Sequence, residues 1–539
     1  MNRKFTALFL IIILAAFLRI WDITRIPVGF NADEAAIGYN AWSILKTGRD
    51  EFGNFLPIAF TSFGDFKPPL YFYLTVPFVA IFDLSEFAVR APSAIFGVLT
   101  VFTVFALTQK LFKNFWLSVI SSLLLAISPW HIHYSRGGWE TNLFTFLLTL
   151  GVFLLLQALE KPKWLYFSSI VFALSFYSYQ GARVVMPTLV ILLALFFKGK
   201  LLKIKKQVVL AAALGLIIIL PALYTFLTGP GFSRFSGISI FTDSGPFWQI
   251  NERRGQHTVP DSAIVQLFHN KVQAYGLVVL KNFAAHFNSN FLFIEGDPIP
   301  RNQVLEHGTL LIPFFPFLLI GTYFLIIKSQ KLWPVVFLWL LAAPTASALT
   351  FQSPQALRSA SMVVPLSIIA GSGFYYLLVL FEKYKSILKI FAVAMILILG
   401  FSFWRFWHFY SVHNPKQIPI AFTPGFSELV PYVFEKKDKF DKVIVTDRYD
   451  QPYILFLFYS RYDPSLFSRQ AKLTPRDRFG FATVANFDKF EFRKINWQED
   501  SELKNVLLVG TGEEIPKGVK IDKIIYFPNN QPAFLIVRT

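Results

Sequence analysis

The sequence predicts a polytopic α-helical membrane protein of about eleven transmembrane helices, with a large external first loop and a C-terminal soluble α/β domain. Three observations lead there. Of 539 residues, 54% are hydrophobic and 16% charged, where a typical soluble domain carries about 25% charged residues. Sixty-three phenylalanines and a mean hydropathy of +0.49 exceed what a water-soluble globule can hide, so lipid must solvate most of the chain. The tail from residue 411 breaks this pattern: it holds 19 basic and 16 acidic residues, an ordinary soluble balance. There is no cysteine, which excludes disulfides, thiolate metal sites and a Cys nucleophile without identifying the compartment.

Charge-poor runs lie near 5–18, 92–109, 115–131, 141–159, 164–180, 184–197, 207–228, 309–327, 332–350, 360–380 and 387–404. Several fall short of the ~20 residues a bilayer needs. The first follows Arg3-Lys4 and lacks a small-x-small cleavage site after it, so it reads as an uncleaved anchor. A further apolar run, 69–82, is decided by parity. If it does not cross and the amino terminus is cytoplasmic, sixteen basic residues fall on cytoplasmic segments. These include Lys110, Lys113, the cluster Lys198 to Lys206, Lys328, Lys331 and Lys383 to Lys389. Only Arg136, Arg183 and Arg358 then occupy the alternate short loops, as the positive-inside rule requires. Counting 69–82 as a span would put the lysines outside. The formal charge of +18 is therefore mostly lysine facing the cytoplasmic leaflet, and no nucleic-acid partner is needed to explain it. This gives a membrane domain over 1–410, with external loops at 19–91 and 229–308, and an external domain over 411–539. In the tail, 442–447, 505–510, 522–527 and 532–537 read as strands and 452–460 as a helix.

The predicted spans are nearly free of internal charge, unlike those of ion-coupled transporters. Polar groups gather instead at the outer ends: Asp33, Glu34, Asp65, Lys67, His131, His133, Arg136, Glu140, Arg183, Arg301, His307 and Arg358. Such a cluster suits a substrate whose lipid tail stays in the bilayer while its anionic head reaches the outer loops. Asn31-Ala-Asp-Glu34 opens an amphipathic helix ended by Gly48. Asn31 and Glu34 fit a capping box, while a carboxylate held ionised at a helix N-terminus also suits a general base. The two roles are compatible. Lys67, constrained by the following proline, is either a point charge for a lipid phosphate or a snorkelling lysine. His131-Ile-His133 is a weak metal signal, since interfacial histidines without a ligand are commoner. Arg183, in Tyr177-Ser-Tyr-Gln-Gly-Ala-Arg183, suits bidentate phosphate binding or snorkelling, and Tyr179 and His307 are further candidates for touching substrate.

Asp33-Glu34 after the first span, Arg90-Ala-Pro-Ser93 opening the second, and Ser135-Arg136 to Glu140 before the fourth resemble GT-C glycosyltransferases. The nearest branch is the protein O-mannosyltransferase and lipid A aminoarabinose transferase group. Lys67-Pro-Pro-Leu-Tyr is similar to the latter's Lys-Pro-Pro segment, with Phe66 where a Glu is typical. Arg358 in Pro354-Gln-Ala-Leu-Arg-Ser359 resembles the family's arginine before a Pro-containing span, with Gln355 where a His is frequent. The resemblance covers about residues 5–405. It implies a GT-C fold and inverting transfer of a sugar from a polyprenyl-phosphate donor to a lipid, polysaccharide or protein acceptor at the outer face. Asp33 would be the catalytic carboxylate, Glu34 its companion and Glu140 a second acid near the acceptor. Lys67, Arg183, Arg358 and Arg301 would neutralise the departing phosphate, and Arg136, His133, Tyr179 and His307 are possible substrate-binding groups. No G-x-G-x-x-G fingerprint is present, in keeping with a lipid-linked donor. No obligatory cofactor or metal is expected, because nearby cations can neutralise one phosphate. The alternative reading is a transporter or flippase of lipid-linked saccharides.

Overall fold

The computed structural model describes residues 3–228, 237, 239–327, 332–476 and 482–539. Lys328 and Lys331 of the parity count, and residues 229–236 and 238 of the second outer loop, lie outside the described residues. Each of the eleven apolar runs contains helix, although helix begins only at Phe314 in 309–327, ends at Ser175 in 164–180 and is broken in 332–350. The first helices are α1 (Arg3–Ile20), α2 (Ala32–Thr47), α3 (Leu70–Phe82), α4 (Glu86–Phe112), α5 (Phe115–Ala126), α6 (Pro129–Arg136) and α7 (Glu140–Ala158). By length and composition, five described helices can cross a membrane, among them α4 and α7. Counting α5 and α6 as one span bent by 57° makes six. The run at 69–82, read as lying along the outer face, is the 13-residue α3.

The chain divides into two compact units. The first comprises Met1–Ala15, Leu99–Ile132 and Phe144–Trp404. Its helices Phe314–Ile327 and Val363–Phe381 pack backbone to backbone, because small residues line their contact. A Cβ on Gly321 would lie 1.9 Å from the Ile369 carbonyl, and one on Gly373 2.0 Å from that of Phe317. Gly371 admits Ser121 of α5 in the same way. With lipid as apolar as the side chains, such close approach supplies the association that hydrophobic burial cannot.

The second unit comprises Ala16–Val98, His133–Leu143 and Arg405–Thr539. Here α2 starts on Asn31, whose extended backbone (φ −81°, ψ 164°) and side chain build the capping box with Glu34, and ends on Gly48 at φ +69°. Strands β1 (Phe60–Ser62) and β2 (Asp65–Lys67) form a hairpin. Its two turn residues, Phe63 and Gly64, both have positive φ, the requirement of a tight two-residue hairpin loop. The rest of the unit is a seven-stranded sheet of β3 (Lys442–Val445), β4 (Lys472–Leu473), β5 (Val484–Phe487), β6 (Phe490–Phe492), β7 (Val506–Gly510), β8 (Lys523–Tyr526) and β9 (Pro532–Arg538). The order is β4-β5-β6-β3-β7-β9-β8, with β3 parallel to β6 and β7 and the other pairs antiparallel. Central strands buried on both faces read as unbroken apolar runs, as in Val443-Ile-Val445 and Val506-Leu-Leu-Val509.

The tail from 411 and most of the first loop lie in one compact unit. The tail shares a unit with the first loop because helix Pro452–Ser460 (Pro-Tyr-Ile-Leu-Phe-Leu-Phe-Tyr-Ser) is apolar nearly all round and must be covered on both sides. Phe456 packs against Phe490 and Phe492 of the sheet, while Phe458 meets Phe30 and the bare Cα of Gly38 on α2. Hydrogen bonds join the same parts: Phe30 N–H donates to the Phe422 carbonyl at 2.8 Å, and the Tyr39 hydroxyl to the Tyr462 carbonyl at 2.9 Å.

Candidate active site

The second unit brings Asp33, Glu34, Lys67, Arg90 and the segment 133–143 together around the N-terminus of α2. Neighbours in sequence, Asp33 and Glu34 have opposite environments. The Glu34 side chain is 1% exposed. Its Oε1 accepts from Arg90 Nε at 2.8 Å and Gly138 N–H at 2.9 Å. Its Oε2 accepts from Arg90 Nη2 at 3.1 Å, Asn31 Nδ2 at 2.9 Å and Asn31 N–H at 3.3 Å. Every lone-pair direction is taken, which is the environment of a positioning residue. It ties the α2 N-terminus to α4 and to the glycine turn that leads into Glu140.

Asp33 is 37% exposed and ion-paired with Lys67, whose side chain is 9% exposed. The snorkelling reading of Lys67 therefore gives way: strand β2 and the Phe63 ring, 4.8 Å from the ammonium, hold it in the site. Both the helix N-terminus and the ammonium favour negative charge at Asp33. Glu140 opens α7 half-buried, with Oε1 buried and lacking a hydrogen-bond partner, and the charges acting on it are Lys67 and Asp33. An accessible carboxylate, a fixed ammonium and a second carboxyl thus share one place.

Arg136 and His133, read as possible substrate contacts, lie among protein groups in the second unit. Arg136 donates to the main-chain carbonyls of Leu18 at 2.8 Å, Trp21 at 2.8 Å, Asp22 at 3.2 Å and Ile26 at 2.9 Å. It closes the C-terminus of α1, where orphan carbonyls need a cation, and stacks on Trp407. His133 is buried among Tyr134, Trp139, Tyr410 and Phe422. Because α6 is helical, residues two apart such as His131 and His133 diverge and do not make a metal pair. Among the described residues no three His, Asp or Glu side chains converge on a metal position.

The remaining candidates lie in the first unit. Arg183 sits at the start of helix Ala182–Phe196 with its guanidinium 5.7 Å from the Phe176 ring. Arg358 donates to Thr350 Oγ1 at 2.6 Å and is acted on by Tyr179 and Asp297. Asp297, which sequence reasoning missed, is buried and accepts from the N–H of Ile299 at 2.8 Å and of Ala356 at 2.5 Å, so it anchors the loop that carries Arg358. Arg301 lies on the turn Pro300–Asn302, and His307 is buried with Nδ1 2.9 Å from the Leu305 carbonyl. Within the first unit Tyr179 acts on Arg358, while Arg301 and His307 follow Asp297 on the same loop.

Comparison with known proteins bears on this arrangement. Residues 66–225 match the family model described as dolichyl-phosphate-mannose-protein mannosyltransferase. "Putative mannosyltransferase YycA" of Bacillus subtilis (strain 168) is 28% identical over 180 residues, covering 32% of this chain and 25% of that protein. The aligned part is thus about a quarter of the curated relative's length. ArnT from Cupriavidus metallidurans, in a crystal structure bound to undecaprenyl phosphate, gives a TM-score of 0.56 at 11% identity over 98% of this chain and 97% of that one. The oligosaccharyltransferase AglB of Archaeoglobus fulgidus, in complex with an inhibitory peptide and a dolichol-phosphate, gives 0.51 at 14% identity over 85% and 64%. At such identities the solved structures show the fold alone. Over residues 66–225 the chain is thus similar to that mannosyltransferase family, and its fold is similar to that of the solved ArnT and AglB structures.

Proposed function

We propose that this protein is an inverting glycosyltransferase, moving a sugar from a polyprenyl-phosphate donor to an acceptor hydroxyl at the outer face of the membrane. The observation that carries the reading is the accessible Asp33 carboxylate paired with the buried Lys67 ammonium beside Glu140. The acceptor oxygen attacks the anomeric carbon from the side opposite the phosphate, and its proton passes to Asp33. The bond from that carbon to the phosphate oxygen breaks, and the electron pair leaves with the polyprenyl phosphate. Lys67 then serves two anions in turn, Asp33 before transfer and the departing phosphate during it, which stabilises charge where it develops. Glu140 orients the acceptor. The phosphate-binding roles of Arg183, Arg358 and Arg301 and the substrate contacts of Tyr179 and His307 rest on the resemblance. No metal enters these steps. The matched family model and the undecaprenyl phosphate and dolichol-phosphate bound by the two structural neighbours support the donor class.

Lys67→Ala should weaken binding of polyprenyl phosphate on the order of 10- to 100-fold, as expected for losing a charge-assisted hydrogen bond, and lower turnover with it. Unchanged binding by the folded variant, measured by titration in nanodiscs, would remove Lys67 from the donor site. We also propose eleven crossings with a cytoplasmic amino terminus. In this cysteine-free chain, a cysteine at the exposed Glu252 should label from outside intact cells, and one at the exposed Lys203 should not. Labelling at Lys203 would reverse the orientation and the face on which the chemistry occurs.

A further inference from the structure

The turn after α2 holds a carboxyl group that the proposed reaction does not use. Glu51 is fully buried, its carboxylate oxygens make no hydrogen bond of ordinary length and angle, and Asn40 is the side chain placed to donate to them. Its backbone is nevertheless fixed. Glu51 N–H donates to Asn40 Oδ1 at 2.9 Å, and Asn40 Nδ2 donates to the Ala36 carbonyl at 2.9 Å. One residue earlier, the Asp50 carboxylate accepts from the N–H groups of Phe52 and Asn54 at 3.0 and 2.8 Å. Asn40 follows Asp33 by seven residues, two helical turns along the same face of α2. The turn is thus clamped to the helix that presents Asp33, and Glu51 has no freedom to swing into water.

An ionised carboxylate in such a place is costly unless a cation pairs with it. The charged and titratable groups facing it are Asp50 on its own turn, Lys67 on β2, Tyr39 on α2 and Tyr453 on the helix Pro452–Ser460. Lys67 is the one cation among them, and it is the ammonium already paired with Asp33 and acting on Glu140. We propose that Glu51 is a positioning residue of the transfer reaction. As the neutral acid it leaves Lys67 to Asp33 and the donor phosphate; once ionised it draws that ammonium away. This rests on the polyprenyl-phosphate reading above. Burial pushes the Glu51 carboxyl up to about 8, opposed by Asn40 and Lys67 and reinforced by Asp50. The neutral form therefore prevails at neutral pH, and the loss of Lys67 falls on the alkaline side. A linked sign follows. The folded chain holds this proton more tightly than the unfolded chain, so the stabilisation present below the ordinary glutamate value of 4.5 is lost as pH rises towards about 8.

The test is binding of undecaprenyl phosphate to the full-length protein in neutral-lipid nanodiscs, from about pH 7.5 to 9.5. The probe's second phosphate ionisation, near pH 6, is then nearly complete. Wild type should lose about tenfold in affinity across this range, equivalent to one pKa unit of coupling between the two charges. Glu51→Gln, and Glu51→Met as a second variant without the carboxyl, should lose clearly less than wild type, Glu140 remaining beside Lys67 in all three. Thermal melts should show wild type losing stability between pH 5 and 8 more steeply than Glu51→Gln. The same alkaline loss in wild type and in whichever variant folds would overturn the inference and leave the donor reading standing. No binding by wild type at any pH would overturn the donor reading and the inference together.

Discussion

Asp33→Asn should lower turnover about 10²–10⁴-fold, the usual worth of a general base, while the protein folds and still binds donor phosphate. The structure separates this from capping. The cap bonds of α2 come from Asn31 and Glu34, and Asp33 contributes none of them. Asparagine has the same size, so the helix start stays intact. What disappears is proton-accepting power and the pairing with Lys67. Since Asp33 is 37% exposed, that pairing is partly screened by solvent and its loss costs little stability. Lys67 keeps its charge for the phosphate. Folded yield, donor binding and turnover of the variant check this together, and a folded Asp33→Asn enzyme that remains active would remove Asp33 from the chemistry.

Arg90→Ala should fail earlier, at folding. The Arg90 side chain is fully buried. Besides its two bonds to Glu34 it donates to the carbonyls of Ile23 at 2.9 Å, Pro27 at 3.1 Å and Gly29 at 2.6 Å, and lies 5.5 Å from the Phe30 ring. Removing it strands the Glu34 carboxylate and three carbonyls away from water. Breaking a buried pair from one side costs about 3–5 kcal/mol, comparable with the net stability of many domains. Thermal unfolding in detergent should show a large drop in midpoint or little folded protein. Arg90→Ala combined with Glu34→Gln should recover part of the loss, because the stranded charge is gone. Normal stability of the single variant would contradict the role given to this pair.

What could be read from sequence depended on the range of the interaction. Apolar runs are local, and each contains helix. The capping box of α2 and its Gly48 terminus were legible because the signal lies within a few residues. Strands β3, β7, β8 and β9 appeared as short apolar runs. β4, β5 and β6 did not, being two to four residues long and lying in an aromatic and charged stretch. Partnership was invisible. Glu34 and Arg90 stand 56 residues apart, and nothing local marks one as the other's counter-ion. Arg136 looked like a substrate contact because an arginine in an outer loop invites that reading, whereas its donors close α1. Glu51 in Arg49-Asp-Glu-Phe-Gly-Asn54 carries no mark in the sequence, since burial has no local signature.

Incubating the purified protein in sealed vesicles with a radiolabelled polyprenyl-phosphate sugar and a crude envelope acceptor fraction tests the central claim most directly. The account predicts label in a new acceptor product together with free polyprenyl phosphate, and neither with Asp33→Asn. Donor carried across the vesicle membrane with its sugar still attached, and no labelled product, would contradict it and identify a flippase instead.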